Sequence, residues 1–363
     1  MRLDAFAGDL RRNAIIHDQD LFAAPEVIAT GKQTFAPSRR ALLLELVRTG
    51  VLGWEPDVVD AVYAGLDSGV QHAFSVYRGE PGGWPDETPY VRAARADIVD
   101  AGMAPVYVQA IADAFRATGD PFGGTAGEEP RPGEVVHFTD AATRALAPET
   151  GAAARRIIAQ VLPELGVLGS GSGGYELYDL GLWEDAATAI RATVDALQKL
   201  GARTVVSESP EAVVALTRFA AALGIRHDLE VCHLSAWLVA RGYTPRGVVP
   251  HRRATYHDSS RLGRGLGVYD APRALLAGVP GLELVEMQYR REEAIPTGPA
   301  LGYPFPEAIP AMAERRLTEA METGADLVVV ASPYAKRNLR FAPVSDPPAI
   351  RDLLDVLAEG QEN

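Results

Sequence analysis

Apolar residues in the first third of the chain recur at the spacing of a helix face, with polar residues between them. The runs "SRRALLLELVRTG", "EPDVVDAVYAGLDSG" and "YVRAARADIVDAGM" each fit one side of an amphipathic helix. Pro37 precedes the first run and Gly50 ends it, as helix start and stop signals do. We therefore predict an all-helical module over residues 1–116, packed separately. Residues 117–134, rich in Gly, Pro and acids, predict a linker or long surface loop.

Beyond residue 134, short apolar runs alternate with glycine turns and amphipathic helices. The segments "GEVVHF", "RTVVSES", "RATYHD", "LELVEM" and "DLVVVASP" are candidate strands, and this alternation is typical of α/β folds with parallel sheets. The segments "LGARTVVSESP" and "TGADLVVVASP" share one plan, helix end, glycine, strand and Ser-Pro, which indicates an internal duplication. The predicted architecture is two pseudo-repeated, Rossmann-like α/β halves, residues 135–249 and 250–345, followed by a C-terminal helix or tail over residues 346–363.

Charge and hydropathy narrow the classes of partner. The formal net charge of −13 argues against binding nucleic acid, which requires a concentrated basic surface. No stretch is apolar for long enough to span a bilayer, and the N-terminus lacks the apolar core of a signal peptide. We expect a cytoplasmic protein whose association with a membrane, if any, runs through a partner.

Cys232 is the single cysteine of the chain. One thiol cannot form an internal disulfide, and it cannot by itself build a zinc or iron–sulfur site. Its apolar context, "LEVCHLSAWLVA", favours a small buried hydrophobic residue over a nucleophile. We expect no metal and no cofactor.

The stretch "TYHDSSRLGRGLGVYDAPR" places polar side chains before a glycine-rich turn, at the end of a predicted strand. Neighbours in one extended run point in different directions, so "HDSS" is not a catalytic triad by adjacency. The glycines of "GSGSGG" match a dinucleotide-binding pattern only weakly, because the acidic residue expected about twenty positions later is not evident. A third interpretation of the stretch is a site for a small anion. His257 would be its acid or base, Asp258 would lie beside it, and Arg261 or Arg264 would bind the anion.

The same strand ends carry a family resemblance. The segment "TYHDSSRLGRGLGVYDAPRALLAGVPGLELVEM", followed by "IPTG" and "ASPYAKRNL", resembles the cysteine-rich (CCG) domain of the B and D subunits of heterodisulfide reductase and of the glycolate oxidase iron–sulfur subunit. In that family the loop reads Y-H-D-P-C, the later turn reads C-C-G, and the last strand ends in C-P-x-C. This chain has Ser260 at the first cysteine, Pro296 and Thr297 at the pair, and Ser332 and Ala335 at the last two.

The resemblance extends over most of the chain. In "VVHFTDAAT" the opening cysteine of the first half falls near Ala141. The helical module resembles the two-cluster ferredoxin region of the same family, whose motif is C-x2-C-x2-C-x3-C-P. The remaining matched positions are Ser172, Gly173, Ser209 and Ala212 in the first half, and Ala14, His17, Asp20, Ala24, Gly65, Ser68, Gln71 and Ser75 in the helical module.

None of these side chains supplies the thiolates that hold iron–sulfur clusters in the family. The resemblance therefore implies a cluster-free homologue, serving as a structural or regulatory subunit of a redox complex with a flavoprotein or a cluster-bearing redox subunit as partner. One alternative is an enzyme or sensor that binds a small anionic metabolite in the crevice between the α/β halves. Another is an electron-transfer subunit that uses clusters borrowed at an interface.

Overall fold

The structure is a computed structural model of the 363-residue chain and describes residues 1–15, 24–75, 85–124 and 126–359. Its described residues up to Thr118 form helices joined by turns and loops, and those from Gly119 to Glu134 contain no helix, although Arg131 forms an isolated antiparallel bridge with Val167. Several of these helices begin with proline, whose fixed backbone angle suits the first helical position. The α-helices of this region are Ala7–Ala14, Pro25–Thr30, Pro37–Arg48, Pro56–Tyr63, Val70–Phe74, Thr88–Asp100 and Val106–Thr118.

The rest of the chain contains two four-stranded parallel sheets. The first consists of β1 (Val135–Phe138), β2 (Gly166–Leu168), β3 (Thr204–Ser207) and β4 (Glu230–His233), in the order β2-β1-β3-β4. The second consists of β5 (Arg253–Tyr256), β6 (Glu283–Val285), β7 (Leu327–Val330) and β8 (Ala349–Asp352), in the order β6-β5-β7-β8. The strand order of the first sheet thus recurs in the second.

Helices connect the strands and lie against both sheets. The last helix of each half packs on a helix of the other half: Leu234–Ala240 contacts Asp270–Ala277, and Leu353–Ala358 contacts Pro148–Val161. Two π-helical turns, Ala215–Phe219 and Arg261–Gly265, follow β3 and β5. The remaining α-helices after Val135 are Ala141–Leu146, Tyr175–Asp179, Trp183–Lys199, Pro210–Val214, Ala220–Ala222, Ile309–Glu322 and Pro333–Leu339.

The second sheet extends beyond the boundary expected at residue 345. β8 pairs with β7, with Val328 opposite Ile350, and the helix Leu353–Ala358 follows directly. The segment expected as a C-terminal helix or tail therefore contributes both a strand and a helix. The sequence "AIRD" of β8 contains two charged residues and is only partly buried over most of its length, so it lacks the apolar run that marked the other strands.

The helical region and the first half share one hydrophobic core, rather than packing separately. Leu10 and Tyr90 of the helical region belong to the same buried cluster as Val136 and Phe138 of β1. A second cluster joins the second sheet to Ile157 of the first half. The carboxyl ends of the strands therefore lie where three tightly packed parts of the chain meet.

Candidate functional site

The five second-half positions that match cluster ligands come together at the carboxyl ends of β5 and β7. They line one cavity of about 20 Å³, together with Glu211 of the first half. A cavity of this volume holds about one water molecule. Gly298 borders it with φ +132°, and a Cβ there would lie 3.0 Å from Asn338 Nδ2, so the turn requires glycine. The five positions are Ser260, Pro296, Thr297, Ser332 and Ala335.

The matching positions of the first half contact one another directly. Ser209 caps the helix Pro210–Val214, accepting a hydrogen bond from Ala212 N at 3.2 Å and donating one to Asp140 Oδ2 at 2.9 Å. A Cβ built on Gly173 would lie 3.3 Å from Ala212 Cα. Ser172 Oγ accepts a hydrogen bond from the backbone of Gly174 at 3.1 Å. These side chains therefore serve local capping and packing.

Buried carboxyl groups join the two halves. Ser332 Oγ donates to Glu211 Oε1 at 2.8 Å, and the Tyr334 hydroxyl donates to Glu176 Oε1 at 2.7 Å. Burial raises the pKa of Glu211 to about 7, although Arg261 opposes the shift. Burial and the Asp140 carboxylate raise the pKa of Glu176 to about 8. The junction therefore contains two carboxyl groups whose pKa values lie near neutral pH.

In the helical region the buried ion pair of Arg40 and Glu87 lies beside two of the matched positions, Gly65 and Gln71. A Cβ built on Gly65 would lie 2.9 Å from Arg40 Cζ. Arg40 is fully buried and bonds both carboxylate oxygens of Glu87, while Gln71 Nε2 donates to Glu87 Oε1 at 2.7 Å. Glu26 Oε1 lies 3.6 Å from Arg40 Nη2, and burial raises the pKa of Glu26 to about 7. Where the resemblance places cluster ligands, the protein has a buried ion-pair network.

The other matched positions of the helical region have ordinary surroundings. Ala24 is buried in a small apolar cluster, and Ala14 packs at the edge of the main core. Ser68 accepts a hydrogen bond from Arg264 through its backbone oxygen, and Ser75 is buried. His17 and Asp20 lie outside the described residues.

His257 and Asp258 face different partners. His257 is buried, and its Nδ1 accepts a hydrogen bond from Arg316 Nε at 3.0 Å. Burial, with Arg316 adding repulsion, holds the pKa of His257 well below its ordinary value, so the ring stays neutral. Asp258 forms a bidentate ion pair with Arg273 at 2.7 and 2.8 Å. The structure therefore does not bring these two side chains together on a ligand.

Arg261 and Arg264 connect the second half to the helical region. Arg261 donates from Nε to the Tyr175 hydroxyl at 2.6 Å and from Nη2 to Leu66 O at 3.2 Å. Arg264 donates from Nε to Ser68 O at 2.6 Å and also bonds Ser260 Oγ at 2.8 Å. Both guanidinium groups border a larger cleft on the side of the helical region.

Cys232 lies on β4, partly buried against the second hydrophobic cluster. Burial and the neighbouring Glu230 raise the pKa of its thiol to about 11. The sulfur is therefore protonated at neutral pH and is a poor nucleophile or metal ligand. Among the described residues, no three His, Cys, Asp or Glu side chains are grouped to hold a metal ion.

An iron–sulfur cluster does not fit this site. Its family ligands are thiolates, and the matched residues offer hydroxyls, methyl groups, a proline ring and a bare glycine. The cavity at the second-half positions is about the volume of one water molecule. The same small volume leaves no room for a metabolite at that point of the crevice between the halves.

Sequence reasoning missed the buried groups that fill the matched sites. Glu211 stood in "SESPEA", directly after a predicted strand, and such a position was a visible signal for a strand-end site. Arg40 and Glu87 are separated by 47 positions and gave no local signal. Their pairing depends on how the helices pack.

Parts of the chain are similar in sequence to known proteins. Residues 254–340 match the cysteine-rich (CCG) domain family. The chain is similar to the D subunit of dihydromethanophenazine:CoB–CoM heterodisulfide reductase from Methanosarcina barkeri, 34% identical over 178 residues, which cover 47% of this chain and 43% of that protein. It is also similar to a probable membrane-anchored ferredoxin of Chromohalobacter salexigens, 32% identical over 187 residues, covering 48% and 27% of the two chains. The matches thus span less than half the length of either relative.

A solved structure shares the overall fold. The crystal structure of a hypothetical protein from Helicobacter pylori aligns with a TM-score of 0.56 and 9% identity, covering 100% of this chain and 76% of that one. The CCG relationship inferred from the sequence is confirmed, and Cys232 is the one cysteine of this chain. Within the described residues, every helix is too short or too polar to cross a membrane.

Proposed function

We propose that the protein is a cluster-free homologue of heterodisulfide reductase and glycolate oxidase type iron–sulfur subunits, acting as a structural or regulatory subunit of a redox complex in the cytoplasm. The observation that carries the proposal is the cavity of about 20 Å³ at Ser260, Pro296, Thr297, Ser332 and Ala335. A site that still served cluster chemistry would keep both the ligands and the space.

Interior packing supports a structural role. Removing a large buried group leaves a cavity that costs stability unless the surroundings refill it. In this chain Arg40 and Glu87 fill the space beside Gly65, and Gly173 lies against Ala212. The protein therefore keeps the positions of the family sites as packed core. Under this proposal the two sheets derive from pseudo-repeated halves, and the helical region from the ferredoxin-like domain.

The partner proposed is a flavoprotein or a cluster-bearing redox subunit. The names of the relatives support it, since one is a component of a heterodisulfide reductase and another is the B subunit of a fumarate reductase (CoM/CoB) from Methanothermobacter marburgensis, 27% identical over 113 residues. Subunits of such complexes work beside other chains. The redox chemistry of the complex would then lie on the partner.

Metal analysis of the purified protein tests the cluster-free part of the proposal. We expect colourless protein without stoichiometric iron or sulfide after anaerobic purification, and no change after reconstitution with iron and sulfide. A relative that retains the cysteines, treated in parallel, is the positive control, and Cys232→Ala identifies iron held adventitiously by the one thiol. Several irons per chain with a visible charge-transfer band would refute the proposal.

Co-purification tests the subunit role. A tagged chain expressed in its source cells should retain a flavoprotein or a cysteine-bearing CCG protein in a fixed ratio through two chromatographic steps. Recovery of the tagged chain alone at every salt concentration tried would contradict the subunit role, even if the protein holds no iron.

A further inference from the structure

A large cleft with polar and aromatic walls lies beside the cluster positions, not within them. It has a volume of about 430 Å³ and lies between the helical region, the first half and the turn that follows β5. Small-molecule sites usually have volumes of about 300–1,000 Å³ and combine apolar walls with a few well-placed polar groups. The cleft is therefore large enough for a metabolite, unlike the cavity of about 20 Å³ next to it.

One wall of the cleft is aromatic. The rings of Trp183 and Tyr178 stack with centroids 4.9 Å apart and planes inclined by 3°, and Tyr178 stacks on Phe219 at 4.1 Å and 22°. Tyr175 continues the stack, 5.4 Å from Phe219. All four rings border the cleft. Because each of these rings stacks on another, the ring edges rather than open ring faces form the apolar surface of this wall.

Guanidinium groups lie against the aromatic stack, with Arg92 Cζ 4.9 Å from the Phe219 ring centroid and Arg261 Cζ 5.5 Å from that of Tyr175. Arg92 donates a hydrogen bond from Nε to Asp179 Oδ1 at 3.0 Å, and its two Nη atoms make no hydrogen bond to any described residue. Arg218 is exposed at the cleft and forms neither a hydrogen bond nor an ion pair within the described part of the chain. Arg261 has bonds from Nε and Nη2 only. Three guanidinium groups thus keep donors available at one cleft.

The acidic groups of the cleft do not cancel this charge. Asp86 accepts hydrogen bonds from Thr88 N and Oγ1, at 3.0 and 2.8 Å. Asp67 is buried and bonds Arg95, and burial raises its pKa to about 7. Arg264 adds a fourth guanidinium whose hydrogen bonds go to backbone oxygens and to Ser260. The lining therefore has an excess of positive charge.

Backbone geometry is unusual at the same place. Both π-helical turns among the described residues, Ala215–Phe219 and Arg261–Gly265, border this cleft and supply Arg218 and Arg261 to it. Single π turns inside helices cost hydrogen-bond geometry and occur frequently at functional sites. The turn Ala215–Phe219 is of this kind, because it lies between the α-helices Pro210–Val214 and Ala220–Ala222, and it gives a second indication of a binding site.

We propose that this cleft binds a small planar aromatic anion, a carboxylate or a phosphate ester, with the ring packed against the edges of the aromatic stack at Tyr178 and Trp183 and the charge on Arg92, Arg218 and Arg261. A purely apolar ligand would leave guanidinium donors without partners, at a cost in free energy. A small inorganic anion has no apolar group and would leave the aromatic surface of the cleft exposed to water. The proposal does not depend on the cluster-free assignment.

Ligand-induced thermal stabilisation and calorimetry test the proposal with defined probes. The probes are 2-naphthoate and adenosine monophosphate, with acetate, inorganic phosphate and 2-naphthol lacking either the ring or the charge. We expect the two aromatic anions to raise the melting temperature in proportion to occupancy, and the other three to have little effect. The response to the two aromatic anions distinguishes a carboxylate site from a phosphate site.

Arg218→Gln is the critical variant, because Arg218 bonds nothing else among the described residues and its loss should not perturb folding. We expect its dissociation constant to rise about tenfold, the usual effect of losing one charge-assisted hydrogen bond. Arg226→Gln, another exposed arginine that does not border the cleft, is the matched control and should bind normally. Equal binding by Arg218→Gln, equal binding of 2-naphthol, or no response to either aromatic anion would overturn the proposal.

Discussion

Ser332 donates a hydrogen bond to Glu211 across the junction of the two α/β halves, with Oγ 2.8 Å from Oε1. Ser332 follows β7 and Glu211 follows β3, and these strands occupy the same place in the order of their sheets. Both side chains are buried. The corresponding ends of the two sheets therefore meet through a hydroxyl and a carboxyl group, at positions where the related family places cluster ligands or their neighbours.

Replacing Ser332 by alanine should lower the free energy of unfolding by about 1–3 kcal/mol, because it leaves a buried carboxyl group without one hydrogen bond. Chemical denaturation of both proteins measures the difference. Ser170→Ala, at an exposed serine, is the control and should change stability by less than about 0.5 kcal/mol. An equal effect of the two substitutions would show that the hydrogen bond does not couple the halves.

Glu211 should make stability depend on pH. Its pKa rises from 4.5 to about 7 on folding, so the folded state binds the proton more tightly than the unfolded state. This contribution is complete below pH 4.5 and is lost as the pH rises through about 7. Glu211→Gln should therefore be less destabilising, relative to wild type, at pH 8 than at pH 5.

Denaturation curves at several pH values give the free energies of unfolding of wild type and variant. The effect is the change of their difference with pH. The exposed Glu307→Gln is the matched control, and its difference from wild type should not vary with pH over the same range. A Glu211→Gln difference that also stays constant would mean that the carboxyl group is already ionised in the folded protein at pH 5.

The sequence predicted the four central strands of the two sheets and the edge strand β6, which lies in "LELVEM". The central strands β1, β3, β5 and β7 are almost completely buried, because each has a neighbour on both sides, and β1, β3 and β7 contain apolar runs. The edge strand β8 is partly exposed and contains Arg351 and Asp352, so its composition did not distinguish it from a loop. Sheet membership at the edges depends on pairing that no local pattern records.

The candidate site, like the sheets, could be predicted only in part. Ser260 and Ser332, which the resemblance matches to cluster ligands, line one cavity because strand order places the ends of β5 and β7 side by side. It did not show that His257 would face Arg316, 59 positions away, or that Arg40 would lie beside Gly65. These contacts are set by helix packing between distant segments. Motifs therefore locate such a site but do not reveal its electrostatics.

Gly65→Ala should destabilise the protein by about 1–3 kcal/mol, the usual cost of overpacking a core. The new Cβ would lie 2.9 Å from Arg40 Cζ, and that guanidinium cannot move freely because Glu87 and Phe35 O hold it. Gly8→Ala, at a helical glycine with no atom within 4 Å of the new Cβ, is the control and should stabilise by about 0.5–1 kcal/mol. Thermal or chemical denaturation measures the stability of both variants. If Gly65→Ala stabilises the protein, the space beside Arg40 is open.

Arg40 and Glu87 should behave as one energetic unit. Arg40→Met should cost about 3–5 kcal/mol, because it leaves the carboxylates of Glu87 and Glu26 buried without their cation. Adding Glu87→Leu should recover part of that loss, since removing both members of a buried ion pair costs less than removing one. Arg48→Met on the same helix is the control: Arg48 pairs with Glu45 near the surface, so its loss should have a much smaller effect. A double-mutant cycle on the free energies of unfolding gives the coupling. If the Arg40 and Glu87 substitutions prove additive, the two side chains do not act as one energetic unit.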